Sequence, residues 1–83
     1  MGSSVHSDRY QVFLKRLRAA RREIGLTQKE VADQLDVPQS YVSKCESGER
    51  RVDVIELADF ASLYQKSLDY FVSGQDEPMN ERQ

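Results

Sequence analysis

The residues of this chain that offer recognition chemistry are short and polar, and they cluster. Taken at 100° per residue, Ser40, Ser43, Lys44 and Ser47 fall on one side of a helix-spaced segment, Val42 and Cys45 fall on the other, and Gln39 stands at its start. A glutamine amide can bond adenine at two points, a lysine can donate to guanine O6 and N7, and serines are short and permissive. The same residues also suit a merely solvated helix face. Arg50 and Arg51 follow the segment, where they would approach a phosphate backbone or lie in a solvated loop. Catalysis has little to build on. His6 is the only histidine and Cys45 the only cysteine, they are far apart in the chain, and no set of acid, base and nucleophile converges. There is no glycine loop for a phosphate and no helical His-Glu-x-x-His motif, so neither a cofactor nor a metal is expected. A lone cysteine excludes an internal disulfide. At helical spacing from Val42 it reads as a small buried hydrophobe rather than a redox sensor.

The elements that position these residues are helices, because apolar spacing near 3.6 recurs through most of the chain. In the first helix Tyr10, Phe13, Leu17, Ala20 and Ile24 form a stripe, with Lys15, Arg18 and Arg22 opposite, and Gly25 ends it. Thr27 and Glu30 have the spacing of a capping box, with Leu26 and Val31 as its hydrophobic staple, so a second helix should begin at Gln28. Asp36-Val37-Pro38 break it, since aspartate tolerates a left-handed conformation and proline cannot continue a helix. A third helix runs from Gln39 to Ser47 and closes at Gly48. Asp53 caps a fourth with Val54, Leu57, Ala58, Ala61 and Tyr64 as its stripe. Ser67 caps a short fifth helix ending at Gly74, whose Leu68, Phe71 and Val72 either form a dimer face or fold back on the domain's own core. The expected organisation is a flexible leader over residues 1–7, one all-α domain over 8–74, and a flexible tail over 75–83. Two short helices joined by a three-residue turn make a helix-turn-helix, whose second helix is offered to the DNA major groove.

With 83 residues the chain supports one core and excludes a multi-domain enzyme. No apolar run reaches the roughly 18 residues of a membrane span, and the first residues lack the basic and apolar regions of a signal peptide, so a cytoplasmic protein with no membrane partner is expected. The net charge of −2 hides segregation: residues 9–22 carry +6 and residues 53–83 carry −5. A pI near 5.3 argues against a polyanion partner. The acids, however, concentrate after residue 52, which leaves a basic face available.

Residues 28–47, QKEVADQLDVPQSYVSKCES, resemble the helix-turn-helix of the Cro and phage-repressor family, also called the XRE family. The match includes small Ala32 and apolar Val31, Leu35, Val37, Val42 and Cys45, and extends from about Phe13 to Val72 through LxxxRxxxGLTQ and SLDYF. The resemblance implies a five-helix, lambda-repressor-like fold with the motif at helices 2 and 3. It implies a double-stranded DNA partner, base reading by Gln39, Ser40, Ser43 and Lys44, a phosphate contact at Gln28, and an ion pair between Arg21 and Glu46 tying the first helix to the third. Ser47, Arg50 and Arg51 should reach the backbone beyond the reading helix. The sequence departs from the family at Asp36, at Gln65 where glycine is usual, at Lys66 and at Cys45. The function so implied is a sequence-specific transcriptional regulator, a repressor binding a palindromic operator as a homodimer, with half-sites about 34 Å apart. Two alternatives remain open: an antitoxin or restriction-system controller of the same fold, with a toxin or polymerase as protein partner, and a helical protein-interaction module that reads no DNA.

Overall fold

A computed structural model describes residues 7–73. Residues 1–6, Gly74 and the tail at 75–83 lie outside the described residues. Five α-helices follow one another: α1 Asp8–Glu23, α2 Gln28–Leu35, α3 Gln39–Ser47, α4 Val54–Tyr64 and α5 Leu68–Val72. The fold is all-α and lambda-repressor-like. Ser7, assigned by sequence to the leader, is instead the N-cap of α1, its hydroxyl accepting from the Tyr10 N–H at 3.1 Å.

Local chemistry sets the joints. At α2 both halves of the capping box form, Glu30 N–H to Thr27 Oγ1 at 3.0 Å and Thr27 N–H to Glu30 Oε1 at 2.9 Å. Asp36 then adopts the left-handed conformation (φ 60°, ψ 48°), and Val37 N–H turns back to Ala32 O at 3.0 Å. The turn ends at Pro38, the N-cap of α3. Gln65 adopts the left-handed conformation (φ 61°, ψ 44°) at the end of α4, a region that glycine enters more readily. Lys66 lies over the Tyr70 ring, 4.7 Å from its centroid, and pairs with Glu23 at 3.1 Å, which accounts for a charge where an apolar residue is usual.

The core gathers one side of each helix: Phe13, Leu14, Leu17 and Ala20 of α1, Val31 and Ala32 of α2, Val42 and Cys45 of α3, Leu57, Phe60, Ala61 and Tyr64 of α4, and Phe71 of α5. Two expectations change. Val54 is 64% exposed while Phe60 is fully buried, because the buried face of α4 runs through Leu57, Phe60, Ala61 and Tyr64. Of the two roles open to Phe71, packing on the domain's own core is the one observed: it is completely buried and lies against Phe13 at 6.4 Å between ring centroids. Only Leu68 and Val72 of that face are exposed. Arg18, expected on the solvent side of α1, is half-buried and donates through Nη1 to the Glu46 carbonyl at 2.8 Å. Among the described residues, no helix is long and apolar enough to cross a membrane.

Candidate nucleic-acid interface

The helix α3 is held from behind by one carboxylate. Glu46 is buried, and both its oxygens meet Arg21, Nε to Oε2 at 2.6 Å and Nη2 to Oε1 at 3.1 Å. Arg21 Nη1 also donates to Leu26 O at 3.0 Å, and Gln28 Nε2 donates to Glu46 Oε1 at 2.9 Å. Glu46 therefore fixes α3 against α1 and against the first turn of α2, and its partner Arg21 ties in the loop before α2. A hydrogen-bonded, desolvated pair of this kind confers geometry more than net stability. Bonding to Glu46 raises the pKa of the Arg21 guanidinium, which stays charged at any working pH.

With the inner face so held, Gln39, Ser40, Ser43 and Lys44 are all exposed, and no other described residue engages their side chains. Pro38 gives α3 no side-chain cap; Tyr41 N–H donates to Pro38 O at 3.0 Å, which leaves the N–H groups of Gln39 and Ser40 open to a partner. The four residues expected to read bases thus share one accessible surface.

The residues expected on phosphates are differently placed. Gln28 stands at the start of α2, but its amide is engaged by Glu46, which aims it rather than leaving it free. Ser47 is turned into the end of its own helix, donating to Lys44 O and accepting from Glu49 N–H, both at 3.2 Å. Arg51 is exposed, its guanidinium 4.5 Å from the Tyr10 ring centroid. Arg50 is clamped: Nη1 and Nη2 donate to Glu56 Oε1 and Oε2 at 2.9 and 2.8 Å, and its guanidinium lies over the Tyr41 ring at 4.6 Å.

Sequence reasoning did not find the partners of Arg50. Glu56 also accepts from Asp53 N–H at 3.0 Å and completes the capping box of α4, so the Asp-x-x-Glu spacing was the available signal. Tyr41 stacks on Phe60, with 13° between the rings and 6.3 Å between centroids, which its place on the flank of α3 did not reveal.

A helix-turn-helix family model matches residues 17–71, most of the chain. The chain belongs to the XRE-type helix-turn-helix family. The match begins within α1 and ends at Phe71, so the family's unit takes in all five helices of this XRE-type domain. A curated relative, the HTH-type transcriptional regulator ImmR of Bacillus subtilis (strain 168), is 40% identical over 63 residues, covering 76% of this chain and 49% of the relative. The chain spans about half the length of that relative.

Proposed function

We propose that this chain is a sequence-specific DNA-binding transcriptional regulator, a repressor that binds a palindromic operator in the cytoplasm as a homodimer and carries out no reaction of its own. The observation that carries the reading is the contrast between the two faces of α3. The inner face is fixed through Glu46, while Gln39, Ser40, Ser43 and Lys44 are exposed and unengaged among the described residues. Membership of the helix-turn-helix family and the similarity to a transcriptional regulator support it.

Gln39 and Lys44 carry the specificity, because amide and ammonium groups discriminate adenine and guanine where serines do not. Gln28 and Arg51 set the register on phosphates, and Ser47 approaches the backbone through the closing turn of α3. Two-fold pairing follows from the small number of bases one module can contact. The exposed pair Leu68 and Val72 is offered as the dimer surface without Phe71. It adjoins a groove of about 410 Å3 that Val54 also lines.

The test is selection from a random double-stranded pool, then a salt titration on the selected and a scrambled sequence. An enriched palindrome is expected, with affinity falling steeply with salt as counterions are released. Gln39→Ala or Lys44→Ala should relax the preference, each bidentate contact being worth about 1–3 kcal/mol. Equal, weak binding to both sequences overturns the reading.

A further inference from the structure

Arg50 is restrained on every side that protein can reach. Its backbone N–H donates to Lys44 O at 3.1 Å, which ties the loop to the last turns of the reading helix. One face of its guanidinium lies over Tyr41, and Tyr41 is the outer member of an aromatic column that continues through Phe60 to Tyr64, with centroid spacings of 6.3 and 5.9 Å. The Nη1 and Nη2 edge is held by both oxygens of Glu56, and Glu56 is fixed by the capping box at the start of α4. A long side chain that otherwise loses rotamer entropy when a partner immobilises it is here restrained before any partner arrives. Its side chain nevertheless remains 41% exposed.

The position of this group matters more than its charge. Tyr41 and Lys44 are three residues apart on α3 and therefore neighbours on one flank. The guanidinium is thus stacked on the residue that neighbours Lys44 along that flank. Its charge is compensated by Glu56, so it adds little to general attraction for a polyanion, whereas a guanidinium carries five N–H donors and Glu56 accepts from only two of them.

We propose that Glu56 is a positioning residue for DNA recognition: it holds Arg50, stacked on Tyr41, on the Lys44 flank of α3, where the guanidinium meets one backbone phosphate in a fixed geometry. This rests on the DNA-binding reading above and assigns it two residues, Glu56 and Tyr41, that have no contact role of their own. The Arg50–Glu56 pair then suppresses binding to arbitrary DNA and favours the register in which the base readers meet their bases. Without the carboxylate, Arg50 becomes a mobile cation that serves every sequence alike.

The experiment compares Kd for the selected and scrambled duplexes with the wild-type chain, Glu56→Gln, Arg50→Lys, Arg50→Ala and the Arg50→Ala/Glu56→Gln double variant. Glutamine retains an oxygen for the capping box, so α4 is kept. Glu56→Gln is expected to tighten binding to scrambled DNA and lower the ratio of the two affinities roughly tenfold, since a charge-assisted fork gives geometric specificity as well as energy. Arg50→Lys, which keeps the charge and loses fork and stack, should lower the ratio similarly. In the Arg50→Ala background Glu56→Gln should leave the ratio within twofold. Neutral methylphosphonates placed one at a time along the selected duplex should reveal one position that weakens the wild-type chain but neither Arg50→Ala nor Glu56→Gln. If Glu56→Gln tightens both duplexes in parallel, or lowers the ratio equally without Arg50, the positioning role is overturned while DNA reading stands. A wild-type chain that prefers no sequence overturns both.

Discussion

Gln28 Nε2 lies 2.9 Å from Glu46 Oε1, the same oxygen that Arg21 Nη2 reaches at 3.1 Å. The first turn of α2 and α3 are therefore registered on one buried carboxylate, by hydrogen bonds as well as by apolar contact. Gln28 is the polar side chain that couples the site to the core.

Removing one member of this set leaves a charge that is poorly solvated. Glu46→Ala or Arg21→Ala should each cost about 3 kcal/mol in urea unfolding. The paired replacement Arg21→Met with Glu46→Leu should recover most of that loss, because desolvation of both ions is removed together. A cost below about 1 kcal/mol for the single variants, the range of an exposed ion pair, would show that the pair is solvated in solution.

Acid should act on the other carboxylate. The Arg50 guanidinium, with help from the Asp53 N–H, holds Glu56 below its ordinary value of 4.5. A carboxyl group whose pKa is depressed by folding contributes stability that is fully present above the unfolded value and lost as pH falls through the folded one. Between pH 6 and 8 the Tm difference between the wild-type chain and Glu56→Gln should be flat, and below about pH 4.5 it should shrink. A difference that widens on acidification reverses the sign and refutes the assignment. Thermal melts across that range decide it.

Two glycines with nearly the same backbone should respond differently to alanine. Gly25 (φ +84°) has open space where a Cβ would stand, so Gly25→Ala should cost only the left-handed penalty of about 1 kcal/mol. At Gly48 (φ +86°) the Cβ would come 2.9 Å from Leu14 Cδ1, and Leu14 is buried in the core with little room to yield. Gly48→Ala should cost about 2–3 kcal/mol, the same penalty plus overpacking. Equal losses in urea unfolding would mean that Leu14 moves aside freely.

What was legible in the sequence was what local chemistry encodes. Thr27 and Glu30 define the start of α2, Asp36 and Pro38 define its end, and Val42 with Cys45 divides α3 into an inner and an outer face before any neighbour is known. The direction of Phe71 was not legible, because α5 has five residues, too few for a periodic stripe to show its phase. The exposure of Val54 depends on which turns of α4 its neighbours cover, which is a tertiary fact. Gln65 in a left-handed conformation carries no residue signal at all. In the candidate site the face was readable and the partners were not. Arg50 and Arg51 look equivalent as sequence, yet a carboxylate six residues on and a ring on the preceding helix restrain the first, while the second rests on Tyr10 of α1.

Cys45 allows the burial of α3 to be checked chemically. It lies on the inner face of α3 with no exposed surface, and burial pushes its thiol pKa up, outweighing the opposing influence of Arg50. The thiolate is the reactive form, so two factors protect the sulfur: little of it is ionised at neutral pH, and reagent cannot reach it while α3 is docked. Alkylation by iodoacetamide at pH 7.5 should therefore be about a hundredfold slower in the native chain than in urea, and mild peroxide should leave DNA binding unchanged. The native rate should also follow stability. Arg21→Ala, which loosens α3, should speed alkylation, because labelling then proceeds through a more populated open state. Labelling of the wild-type chain at the rate of a free thiol would mean that α3 detaches readily, and the fixed inner face on which the reading of its outer face depends would be lost with it.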